Sequence, residues 1–150
     1  MTFENGFRAC LAPRMAGDSV AGLLADFWAW RLEQSPEFAT MTGSKLHNHR
    51  LEQFTVQRFQ DDFATCKTFL ERADALVEVE EGAREEMEFF KAEVETFVEG
   101  FPHKGFYFPI NYMEGVQVDF QRLAEWATLS QEKDFQDVVA RCKCNNLKMF

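Results

Sequence analysis

The stretch of sequence that decides the fold is residues 56–77, VQRFQDDFATCKTFLERADALV. Its apolar residues alternate spacings of three and four, at Val56, Phe59, Phe63, Cys66, Leu70, Ala73 and Val77. This spacing places them on one face of an α-helix. Phe69 and Leu76 widen that face beyond the narrow seam of a coiled coil, so the pattern predicts a long helix packed inside a globular protein.

A second long helix is predicted after the acidic sequence VEVEEG at residues 77–82. It ends at Gly100 and Pro102, and its apolar residues repeat the same spacing at Ala83, Met87, Phe90, Val94 and Phe97. The short connection predicts an antiparallel pair. The conformational entropy lost when two helices become ordered outweighs the free energy gained by burying one shared apolar face. The pair therefore needs further packing from the first helix, the aromatic segment or polypeptide outside this chain.

A helix before this pair is predicted to begin at Asp18 or Ser19 and to end by Ser35. Pro36 disfavours helical geometry in the preceding residue but suits the first position of a new helix, so residues 35–43 predict a kink and a short turn closed by Gly43. Residues 44–53 show no sustained period and predict a polar connection.

The second half of the chain predicts an irregular segment and two shorter helices. Pro102, Gly105, Pro109 and Gly115 interrupt the aromatic-rich segment, which we expect to hold at most one short extended piece. A helix over residues 118–127 follows, and Thr128 with Gln131 predicts a capping box for the next. The apolar positions of that last helix are Phe135, Val138, Val139 and Cys142.

The expected fold class is therefore all-α, a helical bundle-like array with a long antiparallel pair and an irregular aromatic-rich segment. We divide the chain into an N-terminal extension (1–17), a helical region (18–143) and a divergent tail (144–150).

Charge is concentrated in one region and excludes some partners. The chain carries a net charge of −9, and residues 71–99 hold eleven acidic residues against Arg72, Arg84 and Lys91. Nothing in the sequence supplies the basic patch that nucleic acid requires. A solvated helix face explains the acidic run most simply, with a basic partner or a divalent cation as the alternative.

The sequence also argues against a membrane protein. The longest stretch free of charge is residues 105–113, far short of the roughly 20 apolar residues of a membrane-spanning helix. The first fifteen residues lack the apolar region of a signal peptide. We therefore expect a cytoplasmic protein without a membrane partner.

Candidate reactive residues do not form a recognisable catalytic set. No His-Glu-x-x-His motif, nucleophile elbow or Gly-rich phosphate loop is present. His47 and His49 could share a metal with a cysteine, but no third ligand is placed near them in sequence, so ordinary surface histidines are the simpler interpretation. Cys66 is expected in the core, whereas Cys142 and Cys144 have an unusual spacing for zinc or redox chemistry.

The aromatic side chains of the irregular segment allow two interpretations. Phe106, Tyr107, Phe108 and Tyr112 could line a ligand pocket, but buried anchors for a long connection explain them more simply. We assign no catalytic, cofactor-binding or metal-binding residue to this chain.

Two stretches nevertheless resemble a known family. Residues 24–54, LADFWAWRLEQSPEFATMTGSKLHNHRLEQF, resemble the N-terminal signature of the domain of unknown function 885 family: an aromatic-rich helix, a Ser-Pro-Glu-x-Ala-Thr turn, a Gly and a His/Arg-containing loop. Residues 106–143, FYFPINYMEGVQVDFQRLAEWATLSQEKDFQDVVARCK, resemble a later segment of that family. The resemblance covers roughly residues 21–143.

The resemblance implies the N-terminal portion of a larger helical, zinc metallopeptidase-like protein. The family's zinc motif, His-Glu-Gly-x-Pro-Gly-His, lies in the C-terminal half and has no counterpart here, so zinc is implied only for full-length relatives. Residues 144–150 depart from the family pattern, which predicts an alternative C-terminus such as a splice variant or an incomplete gene model.

Two other functions stay open from the sequence. The chain could be a self-sufficient helical module that binds a protein or peptide, or, less simply, a metal-dependent enzyme that uses His47, His49 and a cysteine. A portion of a larger protein would expose apolar surface and could self-associate, whereas a true module would be monodisperse.

Overall fold

A computed structural model describes residues 19–76, 81–108, 112–113 and 115–143. These residues form six α-helices and two short 3-10 helices and contain no β-strand, so the described part of the chain is all-α, as predicted. The α-helices are α1 (Val20–Gln34), α2 (Pro36–Met41), α3 (Val56–Ala75), α4 (Glu81–Gly100), α5 (Val116–Trp126) and α6 (Glu132–Lys143). The predicted extension (1–17) and tail (144–150) lie outside the described residues.

Local sequence signals determine where the first three helices begin and end. The Ser19 hydroxyl accepts a hydrogen bond from the Gly22 N–H at 3.2 Å and caps α1, and Thr55 caps α3 in the same way. Pro36 occupies the first position of α2. Gly43, with φ of 87°, ends α2, and the N–H groups of Gly43 and Ser44 donate to the carbonyls of Thr40 and Ala39.

The core lies between α1, α3 and α4. Its buried members are Val20, Leu23, Cys66, Phe69, Ala73, Met87, Phe90 and Val94. The Phe27 ring of α1 meets Phe69 of α3 and Phe90 of α4 edge-on, at centroid distances of 5.4 and 5.1 Å. α1 therefore supplies the additional packing that the long pair requires.

The long helices α3 and α4 run antiparallel, as predicted. Lys91 Nζ lies 2.6 Å from Asp74 Oδ1 near the connection between the helices, while the Phe63 and Phe101 rings stack at 4.3 Å at the other end. Asp74, late in α3, thus contacts Lys91 in α4, whereas Phe63, earlier in α3, contacts Phe101, just after α4. The two helices therefore point in opposite directions.

An aromatic ladder continues from the end of α4 across the outer side of α3. The 3-10 helices Phe101–His103 and Gly105–Tyr107 turn the chain back, so that Phe106 stacks on Phe59 at 5.0 Å and on Phe101 at 5.2 Å. No strand occurs in the described part of this segment. Residues 109–111 and 114, where an extended piece could also fall, lie outside the described residues.

The last helix differs most from the prediction. α6 begins at Glu132, and the expected capping box of Thr128 and Gln131 does not form. Instead, the Asp134 carboxylate accepts the N–H groups of Ser130 and Gln131 at 2.9 and 3.0 Å. The prediction was wrong because a carboxylate inside the first turn takes the donors that a threonine would have bound.

Polar side chains attach α6 to the rest of the protein. Arg141 is only 1% exposed and donates to Thr40 Oγ1 at 3.0 Å and to the His47 carbonyl at 2.8 Å. Lys45 Nζ lies 2.7 Å from Asp134 Oδ2. This contact, together with the hydrogen bond from the Ser130 N–H, holds the pKa of Asp134 well below its usual value. These contacts anchor α6 to α2 and to the connection that follows it.

Replacing Leu23 with alanine tests the core. Leu23 is fully buried, so Leu23→Ala should lower the free energy of unfolding by about 2–5 kcal/mol in urea denaturation. Leu46→Ala is the matched control because Leu46 is largely exposed, and it should change stability by less than about 0.5 kcal/mol. Equal losses in the two variants would contradict the placement of the core.

Replacing Arg141 with leucine tests the attachment of α6. The variant leaves the Thr40 hydroxyl and the His47 carbonyl without this donor, so we expect a loss of about 2–4 kcal/mol and faster amide exchange in α6. Arg122→Leu, at an exposed position of α5, is the control. Unchanged exchange in α6 of Arg141→Leu would show that the anchor is misassigned.

Candidate functional site

Two neighbouring clefts form where the end of α1 meets the start of α3. One, of about 260 Å³, is lined mostly by polar residues. The other, of about 320 Å³, is walled by the rings of Phe27, Trp30, Phe59 and Phe97 and is called here the aromatic cleft. Trp30, Gln34, Arg58 and Asp62 line both. The side chains between the clefts are the best candidates for a site because each faces two recesses.

Arg58 lies between the clefts and joins three parts of the chain. Its Nη1 donates to Glu52 Oε1 at 2.6 Å and to the Gln53 carbonyl at 3.0 Å, and its Nη2 donates to the Gln34 carbonyl at 3.1 Å. Its Nε lies 2.9 Å from Asp62 Oδ2, one turn further along α3. The guanidinium is therefore a clamp that holds α1, the connection and α3 together.

Asp62 has an unusual protonation equilibrium for a surface-helix aspartate. Burial raises its pKa from 3.8 to about 6, and this effect exceeds the opposing attraction of Arg58. The nearby charges of Glu52 and Asp61 raise it further. Such a shift in a cleft is typical of functional carboxylates, but here the contact with Arg58 accounts for the position of Asp62 without a substrate.

Two other groups near the clefts are also shifted by burial. Burial raises the pKa of Glu37, whose carboxylate oxygens accept the Glu52 N–H at 3.2 and 3.1 Å and so attach α2 to the connection. Burial, followed by the charge of Asp62, raises the pKa of the Cys66 thiol to about 12. Cys66 is therefore a protonated core residue, as predicted, and not a nucleophile.

The candidate metal ligands that the structure describes lie in a turn, in α3 and in α6. His47 and His49 lie in the turn at residues 46–49, and burial, with the charge of Arg50, lowers the pKa of His47. Among cysteines in the described residues, Cys66 is in the core and Cys142 is exposed on α6. Cys10 and Cys144 lie outside those residues. Within the described ranges, no three His, Cys, Asp or Glu side chains form a group that could hold a metal ion.

The aromatic residues of the irregular segment divide into two groups. Phe106 is a partly buried anchor, as predicted, through its stacks on Phe59 and Phe101. Tyr107, Phe108 and Tyr112 are exposed, Phe108 to 83%, and for these the expectation of buried anchors was wrong. None of the three lines either cleft.

Sequence reasoning missed the Arg58 clamp and the Arg141 anchor. The spacing of Arg58 and Asp62 at i and i+4 was a usable signal for their ion pair. The carbonyls of Gln34 and His47 carry no such signal, because any residue type supplies a backbone carbonyl.

Comparisons with known proteins identify no relative. No family model, no curated protein and no solved structure matches the chain. No described helix has the length and apolar character needed to cross a membrane.

Replacing Asp62 with asparagine tests the electrostatics of the site. Since the pKa of Asp62 is higher in the folded protein, ionising it costs folding free energy as the pH rises from about 4 to above 6. Asp62→Asn removes this cost and keeps a side chain of the same size beside Arg58. In urea denaturation, the free energy of unfolding of the variant minus that of the wild type should rise by about 1–3 kcal/mol from pH 4 to pH 7. A stability difference that does not change with pH would contradict this assignment.

Proposed function

We propose that this chain is the non-catalytic N-terminal portion of a larger, zinc peptidase-like helical protein, in which its helices form one wall of a substrate cleft. The observation that supports the proposal is the apolar stripe of α6. Phe135 and Val139 are 53% and 49% exposed, and Cys142, one turn further on, is also exposed. These positions, at i, i+4 and i+7, share one side of the helix.

An exposed apolar stripe on an otherwise anchored helix indicates a missing neighbour. Asp134, through Lys45, and Arg141, through Thr40, attach α6 to the rest of the protein, so detachment of the helix does not explain why the stripe is exposed. In the larger protein we expect polypeptide beyond this region to cover Phe135 and Val139. The proposal also rests on the resemblance of residues 24–54 and 106–143 to the domain of unknown function 885 family.

The clamp supports the non-catalytic part of the proposal. Arg58, which lines both clefts, donates hydrogen bonds to Glu52, Gln34 and Gln53 within the fold, so its guanidinium has a structural role. In full-length relatives a zinc ion would activate water, and we place that chemistry in polypeptide other than this chain. The role left to these helices is to shape and support a cleft.

A self-sufficient protein-interaction module is the second candidate. The shared core of α1, α3 and α4 favours it, as does the anchor between Arg141 on α6 and Thr40 on α2. These contacts unite helices from both halves of the chain without any added polypeptide.

Solution behaviour distinguishes the two candidates. A portion of a larger protein should bind a hydrophobic dye in its native state and associate as its concentration rises. The double variant Phe135→Ser, Val139→Ser should reduce both effects, while Leu46→Ser, at another exposed apolar position, should reduce neither. A monodisperse monomer that binds no dye would overturn the first proposal and favour the module.

An activity assay tests the absence of catalysis directly. The purified chain should not hydrolyse a mixed peptide library, with or without added zinc. Hydrolysis that a chelator abolishes and that co-purifies with the chain through successive columns would contradict the proposal.

A further inference from the structure

The apolar stripe of α6 carries opposite charges at its two ends. Phe135, Val139 and Cys142 form the stripe. Glu132 and Lys143 stand at i−7 and i+4 from Val139, so both lie on its side of the helix. Both are exposed, Glu132 in the first turn and Lys143 in the last. The stripe is therefore acidic where α6 begins and basic where it ends.

Neither end charge has an oppositely charged partner among the described residues. The ion pairs formed there include neither Glu132 nor Lys143, and Glu132 Oε1 accepts a hydrogen bond at 3.0 Å from the neutral Gln136 amide. The other charged side chains of α6 have partners within the fold: Lys133 with Asp137, Asp134 with Lys45, and Arg141 with Thr40 and the His47 carbonyl. The two end charges are thus the ones that α6 offers to a neighbour outside the chain.

The net charge of the chain does not prevent two copies from meeting at α6. The chain carries −9, but residues 71–99 alone hold eleven acidic residues against three basic ones. α6 itself holds three acidic and three basic residues and is neutral. The repulsion between copies therefore arises mainly from other helices.

A stripe with opposite charges at its ends is complementary to a reversed copy of itself. When Glu132 lies level with Lys143 of a reversed copy, Phe135 lies level with residue 140 of that copy, in the gap between Val139 and Cys142. A two-fold axis forms each of these contacts twice. In a parallel pair, by contrast, glutamate would face glutamate and lysine would face lysine.

We propose that two copies of this chain form an antiparallel dimer through α6, in which the apolar stripes cover each other and Glu132 of each copy pairs with Lys143 of the other. This inference rests on the proposed function in one respect, that the stripe lacks its neighbour in this chain. Two 12-residue helices make a small contact compared with the roughly 1,000 Å² of a stable interface, so the dimer should dissociate on dilution.

Charge reversal tests the pairing on the full chain. Sedimentation equilibrium over a series of concentrations should show a monomer–dimer equilibrium for the wild type. Glu132→Lys and Lys143→Glu should each weaken dimerisation about tenfold, because two attractive pairs per dimer become two repulsive ones. The double variant Glu132→Lys, Lys143→Glu should restore the wild-type affinity to within about twofold.

The restoration separates pairing from an effect on the helix itself. An acidic residue in the first turn and a basic residue in the last also suit the helix dipole, so damage to α6 would be greatest in the double variant. Glu125→Lys is the matched control, since it changes the net charge equally at an exposed position of α5 and should not weaken dimerisation. Absence of restoration, or equal weakening by the control, would overturn the proposal.

Disulfide trapping tests the antiparallel orientation. In a Cys10→Ser, Cys144→Ser background, Phe135→Cys places a thiol about 3 Å along the axis from Cys142 of the other copy, so mild oxidation should give a linked dimer. Adding Cys142→Ser should abolish it. The background without Phe135→Cys should stay unlinked, because the two Cys142 residues would be about 13 Å apart along the axis. A Cys142–Cys142 link there would contradict the antiparallel arrangement.

The outcomes also distinguish this inference from the proposed function. A chain that stays monomeric at every concentration but binds a hydrophobic dye would overturn the dimer and leave the proposed function in place, with the stripe covered by other polypeptide. A monomer that binds no dye would overturn both.

Discussion

The packing of α1 against the pair of long helices is the constraint on which the rest of the structure depends. Phe27 lies where the two long helices meet, touching Phe69 on one and Phe90 on the other. Through the Gln34 carbonyl, the end of α1 also receives the Arg58 clamp. Both clefts thus owe their shape to the position of α1.

The sequence predicted the fold well where local rules act and poorly where distant polar groups meet. Ser19, Thr55 and Gly43 mark helix ends through contacts within a few residues, so their roles follow from residue type. The docking of α6 depends on Arg141 reaching Thr40, about a hundred residues away in the chain. Apolar periodicity carries no information on such a contact, so it drew attention to Phe135 and Val139, which the fold leaves exposed.

The candidate site shows the same division. Burial of Cys66 followed from its place on the apolar face of α3, and its raised pKa is the chemical consequence. The neighbouring burial of Asp62 did not follow, because an aspartate in a helical pattern is ordinarily placed on the solvent side. What brings it inside is the pairing with Arg58, whose other partners come from the end of α1 and the connection. His47 and His49 share one turn, and within the described ranges no third His, Cys, Asp or Glu joins them in a group that could hold a metal ion.

The central claim is that α1, α3 and α4 form one cooperative unit. Hydrogen exchange measured residue by residue on Phe27→Ala tests it most directly, because this variant removes the ring that touches both long helices while leaving their mutual contacts intact. The account predicts that amides of α1, α3 and α4 lose protection together and to a similar extent. Loss of protection in α1 alone, with α3 and α4 as protected as in the wild type, would contradict it.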